Sequence, residues 1–147
     1  MSLRFNAGRT ARLLVAVTAC GIAAGANAAD TFRVRLTPVP IEASTAAATT
    51  GQGSATAQLD GTKLTLKGNF AGLKGAATVA RLHEGALTGV RGPAIADFTV
   101  PAAQSGNFTA DLTLTAAQAD SVRRGHVYMQ IASASAPDGN LWGWLLP

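Results

Sequence analysis

A single cysteine, Cys20, occurs among the 147 residues, so no disulfide can form within the chain and the fold must be held by its core. Histidine is nearly as scarce, with His83 and His126 the whole supply. Zinc and copper sites gather three or four donors at one point, so two imidazoles leave such a site short of ligands. Basic residues are not clustered either. Beyond residue 28, Arg123-Arg124 is the single adjacent basic pair, which excludes the basic face a nucleic-acid binder needs. No apolar run reaches the about 20 residues that span a bilayer. There is no G-x-S-x-G elbow, no P-loop lysine and no Rossmann glycine pattern, so acyl-transfer and nucleotide chemistry lack their usual signatures.

What the chain does have begins with a tripartite leader. Met1 to Arg12 carries Arg4, Arg9 and Arg12 and no acidic residue, Leu13 to Ala24 is apolar or small, and Ala26-Asn27-Ala28 supplies small residues at both critical positions. A positive start, a short apolar stretch and an A-x-A site together predict a secretory signal peptide over residues 1–28, with a single domain over residues 29–147 in the periplasm or outside the cell. Cleavage there leaves 119 of the 147 residues; three of the 12 basic residues depart, all 8 acidic ones stay, and the net charge falls from +4 to about +1. Val17-Thr18-Ala19-Cys20 offers a second processing site of the lipoprotein kind, which would leave a lipidated Cys20 and place the protein on a membrane surface. That cut shortens the apolar stretch to Leu13–Ala19, at the lower limit of about 7 residues for such a segment, so cleavage after Ala28 is favoured.

The remainder reads as β-structure. Phe32, Val34 and Leu36 alternate with Arg33 and Arg35 until Pro38 and Pro40 end the run. Glu42 to Gly53 is a loop by composition. Ala55, Ala57 and Leu59 alternate next, Asp60-Gly61 gives a hairpin signal, and Leu64, Leu66 and Phe70 continue on the returning strand. Strands follow at Thr78–His83, Ala94–Val100 and Asn107–Leu114, with a glycine-rich loop from Gly85 to Pro93. Thr115 and Gln118 form a capping box that predicts one short helix, and Gly125 suits the position just past its end. Val127–Ala132 and Leu141–Leu145 complete the set, separated by a turn at Pro137-Asp138-Gly139-Asn140. About eight strands and one helix at this spacing predict an antiparallel sandwich or barrel.

Several segments resemble the chordin-type, or CHRD, domain in the order the family has them. Leu64-Thr65-Leu66-Lys67-Gly68-Asn69-Phe70 followed by Gly72-Leu73 resembles its strand and Gly-Leu turn, and Ala80-Arg81-Leu82-His83 stands where the family has Ala-His-x-His. Gly89 to Pro93 resembles its Gly-x-x-Gly-Pro loop, Leu112 to Gln118 its helix start, and Gly125-His126-Val127-Tyr128 its Gly-x-x-Tyr strand entry. Pro137 to Leu145 resembles its final strand. The resemblance covers Phe32 to the end. It implies an all-β, antiparallel β-sandwich of the Greek-key, superoxide-dismutase-like type with one short helix, in an exported bacterial protein. It also implies a histidine site similar to that of copper–zinc superoxide dismutases, from which this chain departs: Arg81 replaces one histidine, and Gln130-Ile131-Ala132 replaces Asn-x-His.

Two expectations for function follow. The first is a non-enzymatic, exported binding or structural module without a cofactor, with an extracytoplasmic partner and no nucleic acid. Its candidate contact surface is Trp142 and Trp144, which share one face of the last strand opposite Leu141 and Leu145. The alternative is a copper- or zinc-binding, superoxide-dismutase-like enzyme with a degenerate site at His83 and His126. Arg81 shares the face of His83 and brings a permanent cation to it, which opposes a bound metal.

Overall fold

The computed structural model describes residues 28–40 and 42–147; residues 1–27 of the expected signal peptide, Cys20 among them, lie outside the described residues. The alternation read from the sequence becomes strand β1, Asp30–Pro38, whose Phe32, Val34 and Leu36 point into the core while Arg33 and Arg35 face solvent. β2 (Gln52–Asp60) and β3 (Lys63–Ala71) form a hairpin in which Asp60 pairs with Lys63. Gly61 sits first in the two-residue turn at φ 59°, the left-handed conformation that glycine adopts without steric penalty. β6 (Gly106–Thr113) pairs with β3, completing one leaf in the order β1-β2-β3-β6.

The second leaf consists of β5 (Ala94–Phe98), β4 (Ala77–Glu84), β7 (Val127–Ser133) and β8 (Ala136–Trp144), in that order. β1 joins the leaves. It pairs with β2 through Asp30–Leu36 and with β8 at Thr37 and Pro38, so one strand crosses from leaf to leaf. Every pairing is antiparallel. The core fills the space between the leaves: Phe32, Leu36, Leu64, Leu66 and Phe70 meet Leu82, Met129, Ile131, Leu141 and Leu145. Phe98 and Phe108, on the edge strands β5 and β6, approach to 5.9 Å between ring centroids and nearly close the sandwich. Over the described residues the fold is thus an antiparallel, eight-stranded sandwich with one short helix, as the sequence predicts.

That helix, α1 (Ala116–Arg123), carries the chain from one leaf to the other across the end of the core. Both capping-box bonds are present: Thr115 Oγ1 accepts from the Gln118 N–H at 3.2 Å, and the Gln118 carboxamide oxygen accepts from the Thr115 N–H at 2.9 Å. Gly125 follows at φ 71°. Among the described residues no helix is long and apolar enough to cross a membrane.

One element differs from expectation. The tight turn between β7 and β8 lies at Ala134-Ser135, and Pro137-Asp138-Gly139-Asn140 belongs to β8 as an irregular stretch between the Ser133–Ala136 and Ile131–Leu141 pairs. Polar bonding inside the fold draws the turn back. Ser133 Oγ accepts from the Ala136 N–H at 3.2 Å and donates to Asn140 Oδ1 at 2.9 Å, so Asn140 is buried in the sheet rather than left on a turn.

Candidate contact site on the outer face

All seven residues of β7 are buried, although a sheet with one solvated face would alternate. Val127, Met129 and Ile131 face the core. Tyr128, Gln130 and Ala132 face the other way, so something covers the outer face of this leaf. The strand register shows what does. Gln130 is flanked by Arg81 on β4 and Trp142 on β8, and Tyr128 is flanked by His83 and Trp144. Side chains two apart on each strand thereby form two adjacent rungs, Arg81–Gln130–Trp142 and His83–Tyr128–Trp144.

The rings in these rungs touch. Tyr128 lies 4.7 Å from Trp144 and 5.7 Å from Trp142 between centroids, and the two indoles lie 6.2 Å apart in an edge-to-face arrangement. His83 stacks on the opposite side of Tyr128 at 4.8 Å with the planes 10° apart. Both tryptophans are partly buried, whereas Leu141 and Leu145 on the other face of β8 are fully buried in the core. The indoles therefore lie away from the core, but packed against each other and Tyr128 rather than standing free.

The loop from Gly85 to Pro93 folds onto this cluster. The Gly85 N–H donates to the His126 carbonyl at 2.8 Å and Thr88 Oγ1 to the Gly125 carbonyl at 2.7 Å, fastening the loop to the end of α1. The Tyr128 hydroxyl accepts from the Gly92 N–H and donates to the Gly92 carbonyl, each at 3.3 Å. His83 Nδ1 lies 3.0 Å from that same carbonyl, so Nδ1 is the protonated nitrogen, a carbonyl being only an acceptor. Arg91 then reaches across, its guanidinium carbon 5.1 Å from the centre of a Trp142 ring, a cation–π contact.

The histidine expectations resolve into separate placements. His83 Nε2 is buried and finds no hydrogen-bond partner among the described residues. Arg81 does share its face and forms an ion pair with Asp97 at 3.2 Å. The side chains are 40% and 59% exposed, so this pair contributes at most about 1 kcal/mol. His126 meets its neighbours through the backbone, its N–H donating to the Ser121 carbonyl at 2.9 Å. Among the described residues no group of three or more His, Cys, Asp or Glu side chains converges. Glu84 instead accepts from the buried Ser121 hydroxyl, which accepts in turn from Arg124 at 3.0 Å.

Sequence reasoning singled out Trp142, Trp144 and His83 but not Tyr128 or Arg91. Tyr128 was readable in part: Val127 to Ala132 lacks the polar alternation of the other strands, the mark of a strand covered on both faces. Arg91 carries no such mark, because its place depends on the path of a glycine-rich loop.

The described residues thus form a two-leaved antiparallel β-domain with one capped helix and an aromatic cluster on the outer side of the β5-β4-β7-β8 leaf. The CHRD domain family model matches residues 32–145, from β1 to the end of β8. The chain belongs to the CHRD domain family. No curated protein and no solved structure gives a significant match.

Proposed function

We propose that this CHRD-family chain is an exported, non-enzymatic binding module, periplasmic or secreted, that meets an extracytoplasmic partner through the outer face of β4, β7 and β8. The observation that carries this reading is the cluster of Trp142, Trp144 and Tyr128 on the face away from the core, with Arg91 laid over it. Indoles, tyrosine and arginine are the side chains that dominate contact energies, since they bring large apolar faces with a polar handle at small entropic loss. The cluster is already ordered, so a partner meets a surface that need not rearrange. The leader-like residues 1–28 support export, and the occurrence of CHRD domains in extracellular or secreted proteins agrees with it.

Expression in an exporting host tests both halves. Intact mass of the extracytoplasmic material should begin at Ala29; a form retained inside with Met1 intact contradicts export, and a lipidated form beginning at Cys20 moves the module to a membrane surface. A photo-crosslinking residue at position 142 should yield crosslinked species in that fraction, while one at the exposed Thr56 on β2 should not. Equal yields from both positions contradict the contact surface.

A further inference from the structure

We propose that the cleft beside Arg91 is a binding site for a small zwitterion with the charge pattern of a free α-amino acid. This site does not require that the indoles meet a partner, although Arg91 and the start of β8 border both. The cleft encloses about 230 Å³ between the residues following β1, the irregular start of β8 and the Arg91 side chain. Pockets for drug-sized ligands hold about 300–1,000 Å³, so this one suits a smaller metabolite. Val39, Pro40, Ala48 and Pro137 supply apolar wall, and Arg91 and Asp138 supply one charge of each sign.

Those two charges carry the inference. Among the described residues the ion pairs are Arg81–Asp97, Arg123–Asp30 and Arg123–Asp120. Arg91 and Asp138 line the same cleft without an ion pair to each other or to any other described side chain. Opposite charges that border one space without touching leave room for a molecule bearing both. The Arg91 guanidinium, its carbon 5.1 Å from the centre of a Trp142 ring, makes no hydrogen bond or ion pair to another described side chain, and its planar fork matches a carboxylate. The Asp138 carboxylate is the matching acceptor for an ammonium group. A simple anion would be repelled by Asp138 and a simple cation by Arg91, so the pair selects a molecule with both ends.

The walls are fixed before any ligand arrives. The Asp138 carbonyl accepts from Gln130 Nε2 at 2.7 Å, which ties the irregular stretch of β8 to β7. Ser135 Oγ donates to the Ala48 carbonyl at 3.1 Å, and Asn140 Nδ2 to the Thr50 carbonyl at 2.6 Å, which dock the facing loop. A site ordered in this way loses little entropy on binding.

The test is a titration of the ¹⁵N-labelled protein with L-alanine, N-acetyl-L-alanine and L-alaninamide, followed at the Gly139 amide and the Trp142 indole N–H. L-Alanine should move both resonances, and each blocked analogue should bind at least about tenfold more weakly, the low end of losing a hydrogen bond to a charged group. Arg91→Gln and Asp138→Asn should each weaken L-alanine about tenfold; Asp138→Asn should leave the thermal midpoint unchanged, because its side chain is exposed, and Arg91→Gln should lower it only slightly, through the lost contact with Trp142. Should Arg91→Gln disturb the whole spectrum, Arg91→Lys retains the charge without the fork and should still weaken binding. Unmoved resonances at high millimolar L-alanine overturn the proposal. So does equal binding of all three compounds, or binding that depends on Arg91 but not Asp138, which would mark an anion site only.

Discussion

The imidazole of His83 lies nearly parallel to the ring of Tyr128, with 4.8 Å between centroids and 10° between planes, and both side chains reach the same backbone unit at Gly92. This pair anchors the Gly85–Pro93 loop to the sheet. Tyr128→Phe keeps the stack and removes the hydroxyl. The two bonds it makes are long, so the variant should lose about 0.5–1.5 kcal/mol in urea denaturation, and the Gly92 amide should exchange faster than in the wild type. A loss of 3 kcal/mol or more, or unchanged exchange at Gly92, contradicts this account of the loop anchor.

Trp142 and Trp144 lie outside the core but within an aromatic cluster, and their removal should show an intermediate signature. Each aromatic pair contributes about 0.5–1.5 kcal/mol beyond its buried area. Trp142→Ala and Trp144→Ala should therefore each cost about 1–3 kcal/mol, below the about 3–5 kcal/mol of a fully packed tryptophan, with unfolding still cooperative. Losses at or above that upper range place the indoles among the structural core residues and remove them as a contact surface.

The helix start offers a control remote from the site. Thr115→Ala deletes the acceptor of the Gln118 N–H and should destabilise the fold by about 0.5–2 kcal/mol without changing the tryptophan fluorescence of the native state. Thr115→Asp, which restores an acceptor there, should recover most of the loss. A change in native fluorescence with Thr115→Ala would show that α1 and the aromatic cluster are coupled.

Gly143 separates the two indoles and lies against β1. A methyl group there would fall inside contact distance of the Arg35 carbonyl and the Val34 side chain. Gly143→Ala should push β8 away from β1 and cost about 1–3 kcal/mol, the range for overpacking a close contact. Calorimetry showing a midpoint unchanged from wild type would mean that β8 has slack at this point.

Much of this architecture is legible in the residues themselves. Alternation at Phe32–Leu36 and Ala55–Leu59 marks inward-facing strands, and Thr115, Gln118 and Gly125 mark both ends of α1, because each feature is set by neighbours a few positions away. The shared face of Trp142 and Trp144 is legible for the same reason. The turn at Ala134-Ser135 was hidden behind the stronger Pro-Asp-Gly-Asn signal, which the buried bond between Ser133 and Asn140 overrides. Arg91 over Trp142 joins residues far apart in sequence through a loop whose path no local pattern dictates.

A partner docked on the outer face at Trp142 and Trp144, as proposed, would shield both indoles from solvent. The measurement is hydroxyl-radical labelling of the two indoles, quantified by peptide mass spectrometry in the protein within its host and in the purified protein. Both indoles should label in the purified protein, where they are partly exposed, and be protected several-fold in the host, while the exposed Pro101 labels alike in both settings. Equal labelling of Trp142 and Trp144 in the two settings contradicts that docking.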